Sequence, residues 1–321
     1  MRELAKPLLI LLALCAALTG CRRAQTPQQA NANQPPTPAP TATPPRMSEA
    51  QLQEAITLEK KLDEPPEYTH YNLGNYYQAA GKYQEAVNEF KQVIAITPQD
   101  AEAYLHLGDA YAAMNQGQEA LQAYKQAAQV NPKFSEAYVR LGGYYRQAKQ
   151  PEEAVKMYQQ ATAANPKDAN AYLQLGDTYT QLGQTGEALK AYQQAVKLKP
   201  DLADAQFSLG YAYEKQNQPK LALEAYKKAA QADAKNEDAW FNLGNTYNRL
   251  GQTDEAIKAF RKAVEVKPDD AEARRILGLL YVQKGDKKGA TEQYDALKSL
   301  NPQFAAALIE AINNSPQPAG K

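Results

Sequence analysis

Few side chains in this 321-residue chain could do covalent or acid–base chemistry. There are two cysteines, Cys15 and Cys21, and two histidines, His70 and His106. Cys15 lies inside an apolar run, and Cys21 closes the tetrapeptide Leu18-Thr19-Gly20-Cys21. A pair of histidines without a partner cysteine or a carboxylate motif does not make a metal site. No Gly-rich phosphate loop, no G-x-S-x-G elbow and no H-E-x-x-H occurs. The sequence therefore predicts neither catalysis, nor a metal, nor a cofactor. The remaining chemistry is recognition. A few of the aromatics, Tyr71 and Phe241 among them, stand near Asn or Arg, and aromatics and Arg carry much of the binding energy at interfaces.

The N-terminus accounts for both cysteines. Arg2 and Lys6 precede eleven apolar residues from Leu8 to Leu18, too short to span a bilayer comfortably but suited to a signal-peptide core. Leu18-Thr19-Gly20-Cys21 resembles a bacterial lipobox. That resemblance implies a signal peptide over residues 1–20, lipidation of Cys21, and a mature chain anchored to a membrane outside the cytoplasm. An ordinary secretory signal ending near a cysteine is the alternative. Arg22 follows the cysteine where the signal for inner-membrane retention usually has Asp. By the same resemblance, an outer-membrane location facing the periplasm is expected in a diderm cell. Residues 21–47 are rich in Pro, Gln, Ala and Thr, cannot bury enough surface to fold, and read as a disordered linker.

A periodic array downstream of the linker must position the candidate recognition residues. A Leu-Gly pair recurs every 34 residues, from Leu73-Gly74 to Leu277-Gly278, seven times without a slip. Each Gly is followed three residues on by Tyr77, Tyr111, Tyr145, Tyr179, Tyr213, Tyr247 or Tyr281. An alanine comes after twelve residues, and an aromatic (Phe90, Tyr124, Tyr158, Tyr192, Tyr226, Phe260, Tyr294) after sixteen. A fixed period of this length marks stacked helical hairpins. A mid-helix glycine costs roughly 1 kcal/mol relative to alanine, so its recurrence predicts a close approach. The expectation is that Gly and the following Ala remove bulk where two helices cross, with aromatics filling the space between layers. His70 stands in a slot held elsewhere by Tyr104, Tyr138, Tyr172 and Trp240 and is expected to pack, whereas His106 reads as exposed.

This skeleton resembles the tetratricopeptide repeat (TPR) family over about three quarters of the chain. The resemblance implies an all-α, right-handed superhelical solenoid of seven hairpins over residues 67–304, in units 67–100, 101–134, 135–168, 169–202, 203–236, 237–270 and 271–304. Ser48-Glu49-Ala50-Gln51 reads as a capping box. It opens an N-terminal capping helix over 48–64, with Leu52, Ala55, Ile56, Glu59 and Leu62 on one face. A C-terminal capping helix is expected over 305–313, followed by a disordered tail over 314–321. In TPR proteins the first helices of the hairpins line a concave groove. Carried onto this chain, that groove includes Tyr68, Tyr71, Asn75, Gln78, Asp109, Arg146, Asp177, Tyr211, Phe241, Asn245, Asn248 and Arg249.

Charge narrows the partner. The repeats carry 28 basic and 29 acidic residues, without the basic footprint that nucleic-acid binding normally requires, so none is expected. Acidic residues near the start of the first helices (Glu102, Glu136, Asp204, Asp238, Glu272) read either as helix-dipole complements or as a ladder for a cationic ligand. The expected function is a lipid-anchored protein–protein scaffold of the bacterial cell envelope, binding a peptide or protein in the groove, as TPR lipoproteins of the pilotin or adaptor type do. Assembly of an envelope machine is one such role. The alternative is a component of polysaccharide export or synthesis with a glycan- or polymerase-binding groove.

Overall fold

A computed structural model describes residues 46–62 and 64–315. The signal segment, Cys21, most of the linker and the last six residues lie outside it. The chain divides into two compact units, Met1–Pro166 and Lys167–Lys321. Among the described residues all regular structure is helical, in sixteen helices.

Among the described residues of the N-terminal unit, the first helix is α1 (Glu49–Glu59). Three hairpins come next: α2 (Pro66–Ala79) with α3 (Tyr83–Ile96), α4 (Ala101–Ala113) with α5 (Gly117–Val130), and α6 (Ser135–Gln147) with α7 (Pro151–Ala164). The C-terminal unit pairs α8 (Ala169–Gln181) with α9 (Thr185–Leu198), α10 (Ala203–Lys215) with α11 (Pro219–Ala232), α12 (Glu237–Arg249) with α13 (Thr253–Val266), and α14 (Ala271–Lys284) with α15 (Lys287–Leu300). It ends in α16 (Pro302–Asn314).

Local chemistry starts and stops these helices. Asp100, Asp168, Asn236 and Asp270 accept hydrogen bonds from backbone N–H groups in the first turns of α4, α8, α12 and α14, satisfying donors with no partner inside the helix. Ser48 and Gln51 form the expected capping box at α1. Every hairpin turn holds a residue at positive φ: Gly81, Asn115, Lys149, Gly183, Asn217, Gly251 or Gly285. The next N–H then reaches back to the carbonyl of the recurrent tyrosine, as from Lys82 to Tyr77 at 2.8 Å and from Gln184 to Tyr179 at 2.9 Å. That is the Schellman closure, which satisfies an orphan carbonyl.

Packing revises the reason for the recurrent glycine. A Cβ placed on Gly74, Gly108, Gly142, Gly176, Gly210 or Gly244 would first meet the aromatic ring sixteen residues on, while the alanine twelve residues on is fully buried in each hairpin. Five of those rings, Phe90, Tyr158, Tyr192, Tyr226 and Phe260, are at most 1% exposed. The glycine thus admits a whole ring between paired helices, and the area the ring buries outweighs the propensity cost of the glycine.

The last hairpin departs. Gly278 faces Leu308 of α16, and Gln293 is buried in α15 while Tyr294 is only half-buried. Gln293 stands where Ala259 stands one period earlier. The bulkier carboxamide is retained by a bond from Arg274 Nη1 to Gln293 Oε1 at 3.0 Å. Both ends of the described chain are covered. Leu52 and Ile56 of α1 pack on Leu73, and Leu308 and Ile312 of α16 join Ala290 and Leu297 of α15. The charged interruption on α1 is resolved: Glu59 is buried and accepts from Asn72 Nδ2 at 2.9 Å and Tyr76 Oη at 3.4 Å. Leu62 falls beyond the helix and is exposed, so it does not share that face.

Candidate partner-binding surface

The candidate residues project from α2, α4, α6, α8, α10 and α12, the first helices of their hairpins. Helical spacing of three to four residues places those on one helix along one face.

In the N-terminal unit, Tyr68 is 59% exposed, a large ring turned to solvent. Tyr71 is half-buried, edge-on to Phe90 at 6.0 Å and to His106 at 5.6 Å. Its hydroxyl donates to Glu102 Oε2 at 3.3 Å. Burial, with that carboxylate, pushes the phenol up to about 12. His106 corrects the expectation of exposure: its ring stacks on Phe90 at 5.5 Å, and burial lowers its pKa. His70 is not a packing residue alone, since its Nδ1 lies 2.6 Å from Glu89 Oε2. Asn75, Gln78 and Arg146 are half-buried. Asp109 is held on two sides, accepting from Tyr124 Oη and from Arg140 Nε, each at 2.8 Å. Arg140 also reaches Glu136 at 3.1 Å.

In the C-terminal unit, Asp177 accepts from Tyr192 Oη at 2.9 Å. Phe241 is edge-on to Phe260 at 5.5 Å, and Lys215 Nζ lies 5.0 Å over the Tyr211 ring. Arg249 Nη2 pairs with Glu214 Oε1 at 3.1 Å. Glu214 also accepts from Tyr226 Oη at 3.0 Å and Thr246 Oγ1 at 3.2 Å. Asn245 is half-buried and Asn248 exposed.

Two classes emerge. Asp109 and Asp177 answer the hydroxyls of deeply buried tyrosines, so their first duty is to the fold, because a buried hydroxyl left unbonded is costly. Tyr68 and Tyr71 in the N-terminal unit, and Tyr211, Phe241, Asn245 and Asn248 in the C-terminal unit, keep ring or amide surface on the first helices of their own unit. Sequence reasoning missed Arg140 and Glu214, which tie neighbouring hairpins together. Opposite charges 31 residues apart (Asp109 and Arg140) or 35 apart (Glu214 and Arg249) are the signal that finds them. The acidic residues at helix starts are also engaged: Glu102 by Tyr71, Glu136 by Arg140, and Glu272 by Arg275. Side chains of the chain itself thus already serve three members of that ladder.

A tetratricopeptide-repeat family model matches residues 77–142 and 113–177. A model described as the C-terminal domain of cilia and flagella-associated protein 70 matches residues 167–299. Among solved structures, the chain is similar to YrrB, described as a TPR protein with an unusual peptide-binding site. Identity is 26% and the TM-score 0.50, over 57% of this chain and 95% of YrrB. It is similar in fold to pilF of Pseudomonas aeruginosa, at 18% identity and a TM-score of 0.54, over 65% of this chain and 96% of that one. The APC/C hetero-tetramer Cut9-Hcn1 gives 18% identity and a TM-score of 0.50, over 82% of this chain and 51% of that one. No curated protein matches the sequence. Together these findings support a TPR protein with an all-α TPR fold, and with it the binding of protein or peptide partners in general.

Proposed function

We propose that this chain, whose hairpins have the TPR fold, is a lipid-anchored scaffold of the bacterial cell envelope. It holds a peptide or protein partner against the first-helix face of its repeats. The observation that carries the recognition half is the grouping on α12 of Phe241, Asn245 and Asn248. A half-buried ring offers an anchor, while neighbouring amides supply both donors and acceptors for a peptide backbone. The likeness to YrrB, whose description includes a peptide-binding site, supports a peptide as the occupant. The envelope half rests on Cys21 and its lipobox-like context. Two or more acyl chains there would give stable attachment, where one would be marginal. Arg22 after the cysteine favours an outer-membrane, periplasm-facing position.

A photo-crosslinking residue placed at Asn245 in intact cells is expected to give a discrete protein adduct. The same residue at exposed Glu224 on α11 should not. The adduct should disappear in Phe241→Ala. An adduct resistant to protease would favour a glycan in its place, and identical adducts from both positions would remove the assignment of the face. Separately, Cys21→Ala is expected to release the protein from the membrane fraction, and the wild type should carry acyl mass. Retention of Cys21→Ala in the membrane would end the anchoring half alone.

A further inference from the structure

A cleft of about 520 Å³ opens in the C-terminal unit between α11 and α13, on a different side of α12 from Phe241, Asn245 and Asn248. Its floor is apolar: Trp240 and Tyr247 are half-buried there, and Leu243 and Ala259 are buried. The indole N–H of Trp240 is already given to the Ala234 carbonyl at 3.1 Å, so the ring offers the cleft apolar surface, not a donor.

The rim is cationic. Lys227, Lys258, Arg261 and Lys262 stand around it against Glu255 and Glu265. The Lys262–Glu265 pair at 2.8 Å cancels one charge of each sign. Lys227, Lys258 and Arg261 are exposed and make no ion pair among the described residues. This excess is local, since the repeats as a whole carry one more acidic than basic residue.

We infer that this cleft is a second docking site, and that its occupant is an acidic peptide segment bearing one apolar or aromatic side chain. The side chain would enter over Trp240 and Leu243, with the segment's carboxylates meeting Lys227, Lys258 and Arg261. Trp, Tyr and Arg are the residue types enriched where interfaces concentrate their energy, and the volume suits one or two side chains. A uniformly anionic surface fits less well. It has nothing to place on the apolar floor and would be repelled by Glu255.

Because Trp240 is the only tryptophan in the chain and lines this cleft, its emission is a single-site signal to read against the binding-defective variant. The full chain is used to select from a random twelve-residue peptide display library, with counter-selection on Lys258→Glu/Arg261→Glu. The strongest peptide is then titrated by Trp240 fluorescence. Selected peptides should be acidic with an apolar anchor, and their binding should fall at least tenfold in the double variant and again at 0.5 M salt. Phe241→Ala should leave it unchanged, which separates this site from the first-helix face. Selection of basic or neutral peptides, or none, would overturn the proposal. So would an equal response to micelles containing an anionic phospholipid, which would assign the cleft to a membrane surface.

Discussion

The ring of Tyr192 occupies the space that a Cβ on Gly176 would need: its Cε1 and Cδ1 atoms lie 2.5 and 2.6 Å from that position. Tyr192 is 1% exposed, and its hydroxyl is bonded to Asp177, so the ring cannot withdraw. Helix propensity favours Ala over Gly by ~1 kcal/mol, whereas overpacking a tight core costs about 1–3 kcal/mol. With both contacts under 3.0 Å, the upper end applies, and Gly176→Ala should destabilise the protein by roughly 2 kcal/mol. Gly186, in the first turn of α9, would find nothing within 4 Å of an added Cβ. Gly186→Ala should instead stabilise by up to about 1 kcal/mol. Thermal melts of the two variants, one falling and one rising, check the assignment. A rise in both would show that the ring is not a barrier.

Lys149 holds φ 58°, in the left-handed region, at a turn where four other hairpins have glycine. A side chain there costs about 1–2 kcal/mol, and Lys149 is exposed, so little packing is lost on its removal. Lys149→Gly should raise stability by about 1 kcal/mol after the extra chain entropy of glycine is subtracted. Asn115→Gly and Asn217→Gly should gain less, because asparagine tolerates this conformation. Denaturant midpoints across the three variants give the ranking.

Glu237, at the start of α12, sits beside Asp270, whose carboxylate is committed to the N–H groups of Glu272 and Ala273. Burial, followed by the charges of Asp270 and Asp238, pushes the Glu237 carboxyl up to about 8, although Lys267 Nζ lies 3.8 Å away. For an acid whose folded pKa is raised, folding takes up a proton between the unfolded value near 4.5 and the folded value. The contribution to stability therefore falls as pH rises through that window. Glu237→Gln should match the wild type at pH 4.5 and exceed it at pH 9, in urea midpoints taken at both. Raised Asp238 adds the same sign, so some slope should remain in the variant.

Gln206 replaces the aromatic of other hairpins, yet it is 3% exposed and donates from Nε2 to the Pro200 carbonyl at 2.9 Å. Trp240 and Arg274 occupy the same slot and donate to the carbonyls of Ala234 and Pro268. Gln206→Ala leaves the Pro200 carbonyl without that partner and opens a small void, for a loss of about 1–3 kcal/mol. Hydrogen exchange should accelerate first at the start of α10.

The 34-residue recurrence by itself determined the all-α hairpin fold, because each Leu-Gly pair, tyrosine and turn residue is a local instruction repeated in register. The turn positions that adopt left-handed backbone also recur at one offset along the chain, with Asn115, Lys149 and Asn217 in the column otherwise held by glycine. Only tertiary structure decided what each glycine is for: the ring that fills its space comes from the next helix, sixteen residues away. His106 likewise reads as a polar residue on a helix surface, but stacks against Phe90 once two hairpins meet. Spacing nominates the Asp109–Arg140 and Glu214–Arg249 clasps, but only packing shows that they close, and the same holds for the cationic rim around Trp240. Each depends on which side chains neighbouring helices bring within a few ångströms, and many opposite charges at similar spacing do not meet.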